Sequence, residues 1–488
     1  MRPNKYRHVI FSTVTGGLLL VGLFLLLNGA PHIARAASGD LFVTPGGGGD
    51  CSQAAPCNLQ TALGLVSDGD TIYMASGTYT GTGAAVLTVT KSIALYGGWD
   101  GAATTPPVRD PDAHLTTIDG EGARRGVYVG GEIAPVLQGV RITRGNAAGL
   151  GGYVYAGTTS DAGGGVYVIT ATVTLADNDI FSNTAQHGAG VSLVNSLGTL
   201  DRNTIFSNTT TWGAGGGVFV FKGAPTLKGN AIISNTSSSI GGGLALFSAA
   251  SSVLNNTIAG NSAGVGGGGV NVASCRPAFS GNLIVDNAAK TGGGIRLWYS
   301  RSPLTNNVIA DNRATISGSG LWIGGSRLSL QHTTLARNAG GDGSGVFVTV
   351  AGRTPSTVIL TNTLLAGHSV GISVTVNSVR DGTVTSTAKL DGTLWGSNSW
   401  ANGTDWGGDG TIVTGTVNIW GDPAFVAPDG GDYNIGPDST ARNAGVNSGV
   451  NADIDGHFRP KESGYDIGAY EFGQQWDVFL PLVAKNTP

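Results

Sequence analysis

GGGVFVFKGAPTLKGNAIISN, residues Gly215 to Asn235, returns with new outer letters along the chain. GGGLALF at 241–247 leads to VLNNTIAGN at 253–261, GGGVNVA at 267–273 to AFSGNLIVDN at 278–287, and GGGIRLW at 292–298 to LTNNVIADN at 304–312. The last glycines of successive phrases are Gly165, Gly190, Gly217, Gly243, Gly269, Gly294, Gly320, Gly345 and Gly371, in steps of 25 to 27 residues. A period of that length announces a solenoid.

Reading down the columns shows which letters are constrained. After each glycine come Val166, Val191, Val218, Leu244, Val270, Ile295, Leu321, Val346 and Ile372. Two residues further come Val168, Leu193, Val220, Leu246, Val272, Leu297, Ile323, Val348 and Val374. The column between them is mixed: Tyr167, Ser192, Phe219, Ala245, Asn271, Arg296, Trp322, Phe347, Ser373. Such alternation means a strand with one face buried and one outward. A second segment gives inward columns Leu175, Leu200, Leu227, Val253, Phe279, Leu304, Leu330, Ile359 and Ile180, Ile205, Ile232, Ile258, Ile284, Ile309, Leu335, Leu364. Two Asn columns flank the latter. One runs Asn178, Asn203, Asn230, Asn256, Asn282, Asn307, Thr333, Asn362; the other runs from Asn183 through Asn208, Asn235, Asn261, Asn287 and Asn312 to Asn338, ending at Gly367. Stacked amides can bond rung to rung while capping turn backbone.

Composition agrees with repeated turns rather than disorder. The 82 glycines follow no every-third-residue pattern, which excludes collagen, and the apolar columns are what disordered chains lack. At the N-terminus Arg2, Lys5 and Arg7 precede an uncharged run over residues 16–27 and then ARA at 34–36. That order predicts an export signal removed after residue 36; an uncleaved anchor over residues 9–30 is the competing reading. Without it, four of the 27 basic residues are lost and 23 face 31 acidic ones, net −8. Cys51 and Cys57 are placed to bridge in an oxidising compartment, with two lone thiols as the alternative, and Cys275 is expected to be a semi-buried thiol.

Three solenoids compete. LADNDI echoes a leucine-rich repeat, but the return segment is a glycine triplet and a β-branched strand, not a helix. A calcium-binding nonapeptide roll needs a nine-residue subperiod, hinted at only by GGDGSGVFV at 340–348. A coil of parallel strands remains, and GGGVYV…NDIFSN with GGGVFV…NAIISN resembles the rungs of the right-handed parallel β-helix, or pectin-lyase-like, family. The resemblance implies an all-β coil: an N-terminal cap and first rungs over 37–125, regular rungs over 126–400, an irregular C-terminal cap over 401–473 and a tail over 474–488. CSQAAPCNLQTALGLVSDGDTIYMASGTY from Cys51 resembles the family's entry, with Asn58 capping a short helix. GDPAFV, GDYNIGPDST and ADIDGHFRP…YDIGAYEF are similar to the closing segment of secreted bacterial relatives, some of which carry a surface-anchoring signal nearby.

Chemistry is scarce. Polysaccharide cleavage on this fold needs carboxylates, or calcium with Arg or Lys, and no Glu lies between Glu132 and Glu462. The hydrolase NTD, DD and GHG runs and the lyase WIDH pairing are absent. Asp286 and Asp311 stack one rung apart, about 5 Å, which would suit a retaining glycosidase or calcium; a solvated turn relieved by Arg337 is the plainer expectation. Asp177 over Arg202 and Asp201 beside Lys228 read as pairs between rungs, His187, His332 and His368 as surface or turn residues, and the Asp405–Asp438 run as turn aspartates rather than a calcium site.

The outer face carries the sharper signal. Phe219, Phe221, Phe247, Trp298, Trp322 and Phe347 would form an aromatic strip, with Arg296 in its column. Exposed strips of this kind mark partners, and rings on a flat sheet stack on sugars. Residues 271–353 hold eight basic against three acidic side chains, which would suit an acidic glycan. The competing expectation is that the insertion at 146–162, or the C-terminal segment, roofs the strip. The expected protein is secreted or cell-surface, monomeric and non-catalytic. It binds an extended polysaccharide or cell-surface glycan on its strand face and takes no nucleic acid. It has no cofactor, calcium being the one ion its acidic turns would suit, and touches membrane only through its export signal or surface attachment. A polysaccharide lyase or glycoside hydrolase, and a structural spacer or adhesin stalk, are the alternatives.

Overall fold

The computed structural model describes residues 39–380 and 382–473, so the expected export signal and tail lie outside the described residues. The chain forms a parallel coil. Val166, Val191, Val218, Leu244, Val270, Ile295, Leu321, Val346 and Ile372 are in-register neighbours on consecutive strands, as their column predicts. Each is fully buried, and so are the residues two further along. The Leu175 and Ile180 columns stack likewise on two further stretches of strand. A ladder of short strands from Thr184–Ala185 to Arg313–Ser317 adds one more side to the turn. The strand Arg125–Gly130 forms the rung before Val166, pairing Val127 with it.

The Asn columns are hydrogen-bonded ladders. From Asn178 to Asn282 each Nδ2 donates to the Oδ1 one rung on, at 2.9–3.0 Å. From Asn183 to Asn312 the second ladder repeats this at 2.9–3.1 Å. The same Oδ1 atoms accept the backbone N–H of the preceding rung's Asn, as Asn256 does from Asn230 at 2.9 Å. Buried turns thereby satisfy their own polar atoms. The adjoining turn residues Ser182, Ser207, Ser234, Gly260, Asp286, Asp311 and Arg337 all take a left-handed conformation.

At the last rungs the sequence columns slip by one residue. Leu330 pairs with Leu360 and Leu335 with Leu365, both buried, whereas Ile359 is 42% exposed. The run VILTNTLLA offers aliphatics in two registers, and a turn at Ala351–Thr354 lengthens that rung, so spacing alone selected the wrong one. Thr363, not Asn362, therefore follows Thr333. The second ladder continues not into Gly367 but into His368, whose Nε2 lies 3.2 Å from Asn338 Nδ2. His332 and His368 lie in turns between strands, as one half of the expectation has it, but both are buried rather than at the surface, because residues further along the chain cover those turns: Asp466 and Ser448 at His332, Asn402 at His368.

Burial holds the His368 imidazole down to about pKa 4, opposed weakly by its bond to Asn402. A histidine depressed on folding contributes stability that is complete above its unfolded pKa, about 6.5, and is lost as pH falls toward the folded value. Replacing His368 with Asn keeps an amide in the ladder and removes the titration. The slope of unfolding free energy between pH 6 and 4.5 should become shallower by about 1.4 kcal/mol per pH unit. Urea titrations of both proteins across that range check this; parallel slopes would place the protonation elsewhere.

The N-terminal end is closed by the helix Leu59–Leu65, begun by Asn58, whose Oδ1 accepts from Thr61 N at 2.9 Å. Leu59, Ala62 and Val66 face the core beside the disulfide joining Cys51 and Cys57. Cys275 is a buried thiol donating to Ala273 O at 2.9 Å. At the other end the chain turns back along the flank. Tyr433 and Ala469 cover Ala259, Val285 and Ala310, and Ile435, Ala441 and Ile467 cover Leu364, Ala366 and Leu394. No helix among the described residues is long and apolar enough to cross a membrane.

Candidate functional site

The insertion before Val166 folds as an antiparallel hairpin, Gly152–Tyr155 with Thr158–Asp161. Its base is fixed by Arg125, which donates to Ala162 O at 3.0 Å and Gly151 O at 2.6 Å. Asp161 accepts from Gly149 N and Gly151 N at 2.9 and 2.7 Å, and the Tyr167 hydroxyl donates to Gly152 O. The hairpin leans over the outward column of the coil. Tyr153 meets Phe219 and Phe221 edge to face, at ring separations of 5.1 and 4.8 Å, and His187 at 4.9 Å. Phe219 is consequently only 1% exposed and Phe221 8%. The expectation of a bare strip fails at these two residues, and the alternative roof is what forms, because inserted apolar rings bury on the nearest apolar face.

The roof leaves a groove beside it, with a cavity of about 760 Å³. Phe221, Phe247 and Ala273 are consecutive in-register residues of its floor. Tyr155 and Trp212 form its sides, 63% and 70% exposed. Ser and Thr residues, among them Thr158, Ser238 and Ser274, complete the wall. No Asp, Glu, Lys or Arg is among the lining residues; the titratable groups there are His187 and the tyrosines. Burial depresses His187 to about pKa 4 and raises Tyr153 to about 12, so both are neutral near pH 7.

One rung past Ala273 the same column reaches Trp298. Trp298 and Trp322 stack with ring centres 5.4 Å apart, and the Arg296 guanidinium lies 4.9 and 5.0 Å from the two ring centres. Arg296 also donates to Asn271 Oδ1 at 3.2 Å, and burial pulls its pKa down. Gly324 makes room for this stack: a Cβ there would sit 2.4 Å from the Trp322 ring. Trp322 is 8% exposed, while Arg296, Trp298 and Phe347 are half-buried. The structure thus divides the expected site residues. Phe219 is structural packing, Phe221 and Phe247 belong to the groove floor, and Arg296, Trp298 and Trp322 form a second, cationic cluster.

The basic excess over 271–353 is spread rather than concentrated. Arg301 and Arg327 pair on another sheet, and Arg313 sits on the short-strand ladder. Arg337 Nε lies 2.8 Å from Asp311 Oδ1, and Arg337 also donates to Asp429 and Tyr433 under the C-terminal segment. Tyr433 donates a short hydrogen bond to Asp311 as well. Asp311 is therefore a structural anchor, not half of an open carboxylate pair. Arg202 bonds both Asp177 and Asp201, whereas Asp201 is only the register neighbour of Lys228.

Among the described residues, Asp453, Asp455 and His457 are the group whose ligand atoms converge, and they lie outside the Asp405–Asp438 run. Asp453 already accepts the backbone N–H of Asp455, His457 and Glu471, the bonding of a self-contained turn. Tyr153, Tyr155 and Trp212 escaped the column reading because they sit in insertions. Their signals were available: alternating Tyr-Val-Tyr before Ala-Gly, and the 27-residue step from Gly190 to Gly217 that accommodates Trp212.

This coil with in-register stacked strands defines a class, and comparison with known sequences agrees. The family described as "Right handed beta helix region" matches residues 117–263 and 231–381, and the chain belongs to it. Among solved structures, the crystal structure of pectate lyase Pel9A is similar at 15% identity and a TM-score of 0.33, over 90% of this chain and 98% of that one. No residue role transfers at that level of likeness. No curated protein sequence matches.

Proposed function

We propose that this is a non-catalytic, exported or cell-surface β-helix protein that binds an extended polysaccharide along the sheet face bearing Phe221, Phe247 and Trp298. The observation that carries this reading is the open aromatic groove, walled by exposed Trp212 and Tyr155 and free of carboxylates. Most glycoside hydrolysis uses two carboxyl groups across the bond, and the stacked candidate Asp311 is engaged by Arg337 and Tyr433. Export is supported by the N-terminal charge and hydropathy pattern and by the Cys51–Cys57 disulfide, which suits an oxidising compartment. The proposed function needs no cofactor and no second copy of the chain.

The test is incubation of the full chain with a panel of insoluble and soluble polysaccharides, measuring both retention and chain length. Retention with unchanged chain length is expected. Shortening of any polymer by the purified chain would replace this reading with a lyase or hydrolase. Absence of retention throughout would leave a structural spacer.

A further inference from the structure

Three rings from separate stretches of chain surround one concavity: Tyr155 from the hairpin, Trp212 from the lengthened rung, and Phe247 from the sheet. Single exposed apolar residues are ordinary, but rings converging with hydroxyls on a cavity of about 760 Å³ have the size and chemistry of a ligand site. The wall decides the ligand's charge. An anion bound there would shed part of its water without a cation to replace it, and a cation would do so without an anion, so a charged ligand is disfavoured. Lys222 stands outside the wall, its Nζ 5.1 Å from the Phe221 ring centre. Arg296, the cation of the sheet face, lies against the stacked Trp298 and Trp322 indoles two rungs beyond Phe247 and is not part of the lining. A wholly apolar ligand would in turn leave the rim hydroxyls of Thr158, Ser238 and Ser274 facing nothing polar. A ligand with an apolar ring face and a hydroxylated edge matches both surfaces.

We propose that the groove between the hairpin and the Phe221–Phe247–Ala273 floor binds uncharged sugar units of a neutral glycan chain. This rests on the polysaccharide-binding reading and narrows it, replacing the acidic glycan that the basic stretch of sequence suggests. The floor from Phe247 to Trp298 covers two rungs, about 10 Å, so a chain lying along the coil axis passes from the groove onto the Trp298 ring.

The experiment uses the full chain on an array of neutral, uronate-containing and sulfated glycans, with the double variant Trp212→Ala/Tyr155→Ala alongside. Both side chains are mostly exposed, so the variant should melt with the wild type, which circular dichroism verifies. Neutral glycans should be retained, with affinity for them at least about tenfold weaker in the variant. Raising salt from low to high should leave retention unchanged, since screening acts on charge pairs. Retention confined to uronate or sulfated glycans would overturn the neutral assignment while leaving polysaccharide binding intact. Equal retention of neutral glycans by wild type and variant would overturn the placement in this groove and likewise spare the broader function. Failure to retain any glycan would remove the broader function and this inference with it.

Discussion

Asn256→Ala should destabilise the coil by about 2–4 kcal/mol: of the four buried groups its side chain bonds, Asn282 Oδ1 keeps the Asn256 N–H and Asn230 Nδ2 keeps Leu200 O, but Asn230 N and Leu227 O lose the bond it supplied, at about 1–3 kcal/mol each. Asn256 Oδ1 accepts from Asn230 N and Asn230 Nδ2, both at 2.9 Å. Its Nδ2 donates to Leu227 O at 2.9 Å and Asn282 Oδ1 at 3.0 Å. Alanine leaves these atoms inside a packed turn, with space too small for water to replace all of them. Lys228→Ala, on an exposed neighbour in the same rungs, should stay within about 0.5 kcal/mol. Denaturant unfolding, with hydrogen exchange at the amides of Asn230 and Asn256, reads the difference. A solenoid couples mainly neighbouring turns, so protection should fall most in the rungs on either side. A loss below about 1 kcal/mol would mean the ladder is dispensable and the aliphatic stack alone sets the register.

Arg459→Met should loosen the C-terminal segment by a comparable amount, about 3–5 kcal/mol, by stranding a buried carboxylate. Arg459 and Glu471 are paired at 2.5 Å, with side chains 0% and 1% exposed. The same guanidinium donates to Gly468 O and Ala469 O, at 3.0 and 2.8 Å, shaping the turn that lays Ala469 on the flank. Burial already pushes the Glu471 pKa up, with Arg459 opposing it. Without the arginine that pKa rises further. A group raised on folding contributes stability at low pH that is lost as pH rises, so the variant should recover part of its loss on acidification. Arg459→Met/Glu471→Leu should recover most of it at every pH. Proteolysis of residues 422–473 and dye binding to the uncovered Ala310–Leu364 flank measure the release. Glycan retention should persist, because the groove lies on a different sheet. Equal protease resistance in wild type and Arg459→Met would show that the apolar contacts alone hold the segment.

The coil was legible because its inner positions admit so few residue types. Val218, Leu244 and Val270 recur at one spacing because each fills the same internal slot, and the Asn columns recur because one amide must meet the next. Legibility ended where two registers were chemically equivalent, as with Ile359 and Leu360. The groove was legible only in part. Its floor residues Phe221 and Phe247 stood in a column, but Trp212 and Tyr155 sit in insertions that obey no period. Whether Phe219 faced water depended on where the hairpin fell, which the repeat does not encode. Asp311 looked like a member of a carboxylate pair because its partner Tyr433 is 122 residues away in sequence.

Spin-label distances along one outward column test the coil itself. Thr174, Thr199, Thr226, Ser252, Ala278, Pro303, Ser329, Ile359 and Lys389 follow one another on consecutive strands. Labels on cysteines replacing Lys389 and one of Ser252, Thr199 or Thr174, in a Cys275→Ser background, are five, seven and eight rungs apart in that order. Separations of about 24, 34 and 38 Å are predicted, rising by about 4.8 Å per rung. Distances that do not grow with rung number, or that grow by much more than one strand spacing, would contradict a coil with one turn per glycine-led repeat.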